Sequence, residues 1–418
     1  MTVRGILVWM ICALFLLYEF LLRTVLGTYQ VPIMQDLHLS AVQFSLMSST
    51  AYQITYGLMQ LPVGFIADRL GLKKTLLLAA IICVVANIGF SLVSDYRFAL
   101  FFRLLMGLGS SFGFICLLLA VYDWLPRKKI AFYIGVSQFI GTMGPMLAAG
   151  PLNGLLEANI LGWRGLFFVL AVAGGVLAFL VFLFVEKNQE SEGAFYILSR
   201  PLSMLSNLNK LIRQKQIWWI GIYSSSIYFS LEYLTENEGT SFLISKGLTP
   251  VFSSYLITIS WLGYAIGCPL LGYLSDKLRQ RKPIMFFSAL SVLISLCAII
   301  YLPLNPAMML IFFFLLGIGA SGPSIGFAIM SEHCEPSSLT VGLAFNNSFI
   351  MFFGAIVAPV IGLLLTGKGH IIHPLADYQE VFSVLIFCTL PGVLLSAFCI
   401  KETFCKSVHE NTILTRKF

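Results

Sequence analysis

The chain has 418 residues, of which 58% are hydrophobic and only 11% charged, less than half the charged share usual in soluble domains. That composition excludes a soluble globular protein and points to one embedded in a lipid bilayer. The formal charge of +7 does not point to nucleic acid: the basic residues fall in short segments between apolar runs, with no basic stripe interleaved with aromatics, so the charge serves topology and no nucleic-acid partner is expected.

Runs of about 20 apolar residues can cross a bilayer as helices. Twelve are predicted, at roughly 6–30, 43–67, 75–94, 98–122, 131–156 and 164–186, then 216–245, 250–274, 284–303, 307–331, 339–366 and 381–400. The first lacks a small-residue cleavage site and carries Glu19 and Arg23, so it reads as a span rather than a secretory signal. The polar stretch 187–215 separates six spans from six. The expected domains are an N-terminal six-helix bundle (1–186), a cytoplasmic linker (187–215), a C-terminal six-helix bundle (216–400) and a cytoplasmic tail (401–418). Segments on the N-terminal side of the spans hold twenty Lys and Arg against four on the other side, which places both termini in the cytoplasm. Of the nine cysteines, most lie inside apolar runs and no pair has metal-ligand spacing. Neither a disulfide framework nor a metal or cofactor is expected.

Between the second and third runs the chain reads Gly64, Phe65, Ile66, Ala67, Asp68, Arg69, Leu70, Gly71, Leu72, Lys73, Lys74. A second copy begins 208 positions later and runs from Gly272 through Asp276 and Lys277 to Arg281 and Lys282. A small residue, an acid, a base and a basic cluster suit a tight turn on the cytoplasmic side. Repetition at half the chain length argues for a duplicated membrane unit. Gly64, Asp68, Arg69, Gly71, Lys73 and Lys74 resemble the signature loop of the major facilitator superfamily, and Gly272, Asp276, Lys277 and Arg281 resemble its second-half counterpart. Arg103 with Gly107 and Gly109, and Gly162, Trp163 and Arg164 with Phe167, are similar to further marks of that family. The run from Gly141 to Gly150 partly resembles the span-five motif of its drug and proton antiporters. The resemblance implies an all-α membrane protein with twelve transmembrane helices in two pseudo-symmetric six-helix bundles. It also implies a central cavity opening alternately to either side, lined by spans one, four, seven and ten.

Buried charge is concentrated in spans one, four and seven. Glu19 and Arg23 stand four apart on one helix face, Arg103 lies in span four, and Glu232 and Glu236 stand four apart in span seven. Each central charge costs about 2.5 to 3.5 kcal/mol against lipid, so these groups must face water or one another. Aligning the halves sets Arg23 opposite Glu232, and the halves differ in sign where they meet. A planar guanidinium suits a carboxylate or phosphate. The expected solute-binding residues are therefore Arg23, Arg103, Tyr18, Glu19, Tyr228 and Asn346. Proton coupling is expected at Glu232, which has no base on its own helix, with Glu19 and Glu236 as further carriers. The alternatives are that Glu19 and Arg23 merely neutralise each other, that Arg103 supports packing, and that Glu236 and Glu238 lie solvated near the outer surface.

These readings converge on a secondary active transporter, resembling bacterial organic-anion and proton symporters, that moves a small anionic or zwitterionic solute. Its expected setting is a bacterial inner membrane, as a monomer with protons and lipid as its other partners. Export of a drug or siderophore, transport of amino acids or dipeptides, and a non-transporting receptor stay open as alternatives. The chain carries no phosphate-binding Gly-Lys-Ser/Thr loop and no nucleophile elbow, so no enzyme activity is expected.

Overall fold

The structure is a computed structural model that describes residues 3–125, 130–185, 201–335, 338–370 and 373–408. The side chains of Asp68, Tyr122, Thr340 and residues 130–132 and 201–205 also lie outside the described part, as do Arg127, Lys128 and Lys129, most of the expected linker and the end of the expected tail. No strand occurs among the described residues. The first helices are α1 (Val3–Thr28), α2 (Gln30–Asp36), α3 (Ala41–Ser45), a π-helical turn at Leu46–Thr50, α4 (Ala51–Leu92), α5 (Tyr96–Ser110), α6 (Gly113–Trp124), α7 (Ile130–Glu157), α8 (Trp163–Phe184) and α9 (Pro201–Ile212). There follow α10 (Lys215–Glu236), α11 (Gly239–Ser245), α12 (Pro250–Leu278), α13 (Lys282–Tyr301), α14 (Pro306–Ala320), α15 (Pro323–His333), α16 (Leu339–Thr366), α17 (Leu375–Val381) and α18 (Ser383–Leu394), which ends in a π turn at Leu395–Cys399.

Among the described residues nine helices are long and apolar enough to cross a membrane. The other three expected spans are helical too: α3 through the first part of α4, α7, and α10 with α11. Spans four and ten are broken in the same way. Span four divides into α5 and α6 after Ser110, and span ten into α14 and α15 after Ala320. At each break a serine bonds back to the carbonyl three residues earlier, Ser111 to Leu108 at 2.7 Å and Ser321 to Ile318 at 2.6 Å. Such back-bonding competes with the helical ladder and bends it. Both also start on a side-chain cap: Asp95 accepts from Arg97 N at 2.8 Å, and Asn305 accepts from Met308 N at 2.9 Å, each satisfying one of the orphan donors of a helix start.

By Cα proximity the chain forms two units. The first draws on Met1–Ile197, Tyr233–Thr258 and Gly354–Tyr378, the second on Leu198–Glu232, Ile259–Phe353 and Gln379–Phe418. In the first, α1 packs on α7, and α4 packs on α5 and α8. Gly141 and Gly144 of α7 lie against Leu16 and the Leu17 carbonyl of α1, so these two glycines of the antiporter-like run serve close helix approach. Arg164 pairs with Asp36 and donates to the Val93 carbonyl at 2.7 Å, joining α8 to α2 and the end of α4. In the second unit α13 packs on α14 and α18.

The first signature loop is a kink inside α4 at Gly71, with φ 74 and ψ 164, a conformation open almost only to glycine. Arg279, 208 positions on, also has positive φ, 50. All nine cysteines are free thiols.

Candidate functional site

The polar heart of the first unit is built around Arg23 of α1. Its Nε lies 3.1 Å from Oε1 of Glu236, the last residue of α10. Both side chains are buried, with 4% and 0% of their surface exposed, so the pair sits in a medium where an unmatched charge is costly. The other carboxylate oxygen of Glu236 accepts from Gln53 Nε2 at 2.9 Å and from Ser49 Oγ at 3.3 Å. Asn237, next in the chain, donates to Ser49 Oγ at 2.8 Å and accepts from Ser48 Oγ at 2.6 Å. Glu236 is thus held by one cation and two neutral donors.

Local backbone explains how these groups meet. The π turn at Leu46–Thr50 is wider than an α turn, and such turns gather at functional sites; here it carries Ser48 and Ser49. Gly27, one turn beyond Arg23, lies against the Thr235 carbonyl where a Cβ would not fit, so the end of α10 approaches the α1 backbone directly.

Arg103 is fully buried and serves as a brace for this assembly. Its Nη1 donates to the Leu22 carbonyl at 2.8 Å, its Nη2 to those of Ser48 at 2.8 Å and Arg23 at 3.3 Å, and its Nε to that of Met47 at 3.3 Å. The guanidinium also lies 4.7 Å from the Tyr52 ring centre. Charge-assisted bonds contribute about 1.5 to 3 kcal/mol each, enough together to offset the several kcal/mol of burying the cation. Expected as a solute ligand, Arg103 instead directs its donors here to the backbone of α1 and the π turn.

Tyr18, also expected at the solute site, is engaged by helix backbone and a neighbouring amide. Its hydroxyl donates to the Leu170 carbonyl at 2.9 Å and accepts from Asn87 Nδ2 at 2.9 Å, joining α1 to α8 and α4. Glu19, fully buried, lies against Gly113, the first residue of α6, and beside Tyr56. The positive end of the α6 dipole helps hold that carboxylate. Glu236 and Glu238 are not solvated as the sequence suggested, with exposures of 0% and 2%. Glu238 accepts from Tyr378 Oη at 3.2 Å.

Three expected site residues belong to the second unit. Glu232 is buried on α10, and Tyr228 packs edge-on to Trp261 and Tyr264. Asn346 of α16 is fully buried, and neither end of its amide makes a hydrogen bond. The partner of Arg23 is thus Glu236, one turn beyond the position that aligning the halves selected. Ser49, Gln53 and Asn237 were not singled out from sequence. Their signal is the pair Ser49 and Gln53, four apart in a span unusually rich in serine, threonine and glutamine, and the uninterrupted polar run Glu236, Asn237, Glu238.

In the first signature loop Arg69 is exposed, over the Phe65 ring at 4.0 Å, and Lys73 donates to the Phe182 carbonyl at 2.8 Å. Gly64 has open space about it and Lys74 is exposed. In the second, Arg281 donates to Asp276 Oδ1 at 2.7 Å, to Ser275 Oγ at 2.9 Å and to Glu332 Oε1 at 2.7 and 3.1 Å. Gly272 is half-buried, and Lys277 is exposed with its ammonium 5.8 Å from the Tyr273 ring centre.

Comparison with known proteins agrees with this architecture. The chain is 27% identical over 279 residues to a hexuronate transporter of Bacillus subtilis (strain 168), covering 64% of each chain and so less than two thirds of that relative. It is 23% identical over 413 residues to a probable L-galactonate transporter of Escherichia coli (strain K12), covering 92% of this chain and 86% of that one. In fold it is similar to a bacterial homolog of the human lysosomal transporter Spinster in an inward-facing, unoccupied conformation, with TM-score 0.74 at 17% identity, covering 99% of this chain and 98% of that one. The nucleoside transporter NupG matches with TM-score 0.74 at 14% identity, over 95% and 99% of the two chains. The family model of the Major Facilitator Superfamily matches residues 11–245 and 239–408. This chain is accordingly a multi-pass membrane protein that belongs to the Major Facilitator Superfamily.

Proposed function

We propose that the protein is a proton-coupled secondary transporter for a small organic anion of the sugar-acid class, working by alternating access between two six-helix bundles, residues 1–186 and 216–400. The observation that carries this reading is the buried Arg23–Glu236 pair in its cradle of Ser49 and Gln53. A guanidinium already shaped for one carboxylate accepts another in its place. When the carboxylate of a solute takes Arg23, Glu236 loses its cation and becomes costly to keep ionised in a buried site. Taking up one proton removes that cost. The buried charge is then the same before and after binding: one cation and one anion, whether the anion is Glu236 or the solute. Any other stoichiometry leaves an unmatched charge, at about 2.5 to 3.5 kcal/mol. One proton per monovalent anion follows.

The two relatives whose names specify hexuronate and L-galactonate support the solute class. Arg103 is a positioning residue in this scheme, fixing the backbone on either side of Arg23. Glu232 and Asn346 remain proposed proton and solute groups of the second unit, Asn346 because its buried amide is unsatisfied. The protein acts as a monomer in a bacterial inner membrane, with both termini cytoplasmic as the basic-residue count implies.

The test uses purified protein and proteoliposomes. Galacturonate and galactonate are expected to raise the thermal stability of the wild type, and uncharged galactose is not. Arg23→Gln is expected to lose that response. Glu236→Gln is expected to keep solute binding and exchange but to lose accumulation driven by a pH gradient. Because Arg23→Gln leaves a buried carboxylate without its cation, the double variant Arg23→Gln/Glu236→Gln serves as a folding control. A double variant that folds and still binds sugar acids as the wild type does would overturn the assignment.

A further inference from the structure

Beyond the end of α16 the chain turns at Gly369, with φ 74, and then presents His370, His373 and Asp377 within eight positions. Asp377 lies in the first turn of α17. His370 Nδ1 is 2.6 Å from Asp377 Oδ2, and His373 Nδ1 is 3.5 Å from the same oxygen. One ligand atom from each of the three residues lies within 4.8 Å of the others. We infer that these residues form a site for a borderline divalent transition-metal ion of the zinc type.

A second observation points the same way. The His373 side chain is only 9% exposed, and its Nδ1 makes no hydrogen bond. A buried ring nitrogen aimed at a carboxylate oxygen without bonding to it needs an explanation, and a shared cation supplies one. Two imidazoles and a carboxylate are ligands of zinc and its neighbours rather than of calcium or magnesium. Metal–ligand distances of about 2.0 to 2.2 Å in a tetrahedron separate ligand atoms by about 3.3 to 3.5 Å. The spacing of His373 and Asp377 already fits. The His370 spacing must open by under about 1 Å, and this ring is 54% exposed and able to swing. Three protein ligands leave a fourth position to water or to a solute oxygen.

Surrounding groups give the site a reach beyond its own loop. The His373 ring packs edge-on to Tyr378 at 5.8 Å, and Tyr378 donates to Glu238, two residues beyond Glu236. A bound ion would fix the α16–α17 connection and the Tyr378 ring that holds Glu238. The inference rests on the cluster alone and stands apart from the transport reading.

The experiment is a ZnCl2 titration of the full-length, chelator-stripped protein at about neutral pH, where imidazoles are free to bind metal. It is read by calorimetry and thermal unfolding, with Co2+ absorption as a report on ligand geometry. Saturable binding of one ion per chain, a raised unfolding temperature and a tetrahedral Co2+ spectrum are expected. His370→Ala and Asp377→Asn should each abolish the spectrum and weaken Zn2+ by more than the ~10- to 100-fold that outer-shell partners contribute. Tyr378→Phe should stay within that range. His370 is exposed, so His370→Ala keeps the test interpretable should the buried positions tolerate no change. Absence of saturable binding in the wild type, or wild-type Zn2+ affinity retained in both His370→Ala and Asp377→Asn, would mean that two imidazoles merely share one carboxylate oxygen, and the site is refuted.

Discussion

The two signature loops, 208 residues apart, solve one backbone problem by different chemistry. Each must reverse the chain between two helices, and each places a residue with positive φ at the same register, Gly71 in one and Arg279 in the other. In the first loop glycine meets that demand without strain. Among the described side chains of that loop, Arg69 covers a phenylalanine and Lys73 bonds one carbonyl. In the second an arginine occupies the strained position, and the register of Lys73 is filled by Arg281, whose fork engages Asp276, Ser275 and Glu332 together. Glu402 completes this second network by accepting from the amides of Arg281 at 2.9 Å and Lys282 at 2.8 Å, which caps the start of α13. A duplicated motif can thus keep a positive φ at one register while the second copy ties its loop to three neighbours through one arginine fork.

The largest effect that would sharpen this contrast is at Arg281. Removing one partner from a buried, hydrogen-bonded charge network costs about 3 to 5 kcal/mol. Because Asp276 is 69% exposed, Arg281→Met is expected near the lower end, whereas Arg69→Ala should cost no more than about 1 kcal/mol. Equal losses of thermal stability in detergent would break the comparison. Next come the turn positions themselves. Gly71→Ala should cost about 1 to 3 kcal/mol, whereas Arg279→Gly should be neutral or stabilise by up to about 1 kcal/mol; two losses of the same sign would show that Arg279 is held by contacts its backbone does not reveal. The smallest effect is a pH dependence at Glu402. Burial pushes its carboxyl up, but the amides of Arg281, Lys282, Phe404 and Thr403 outweigh this and hold it below the usual carboxylate range. A lowered folded value means a contribution present above the unfolded value, about 4.3, and lost as pH falls through the folded one. The stability gap between wild type and Glu402→Gln should therefore be full at neutral pH and close in acid. A gap that widened in acid would reverse the assigned sign.

Most of the helical frame was legible because apolar runs long enough to span a bilayer leave few alternatives, and the turn at Gly71 was legible because acid, base and glycine repeat at half the chain. The site was legible only in part. Arg23 stands out as a charge with no place in lipid, yet aligning the halves sets it opposite Glu232 rather than Glu236. Glu236 is picked out only as a further proton carrier, because Glu236, Asn237 and Glu238 in succession look like the end of a span. Burial of that run depends on α1, the π turn and Tyr378, segments distant in the chain whose arrival no local pattern announces. Arg103 was read as a solute ligand because a buried guanidinium suggests one. The acceptors it meets in the structure are backbone carbonyls, which carry no sequence signal.

The π turn at Leu46–Thr50 has a geometric corollary. Each residue of an α-helix advances about 100° around the axis, so one extra residue in a turn acts as a built-in phase shift. Side chains before it and after it follow helical periods out of step by roughly that angle. Excision of a single residue there would restore an unbroken period, swing the upstream face away from the downstream one, and uncouple Ser48 from Asn237 and Ser49 from Glu236.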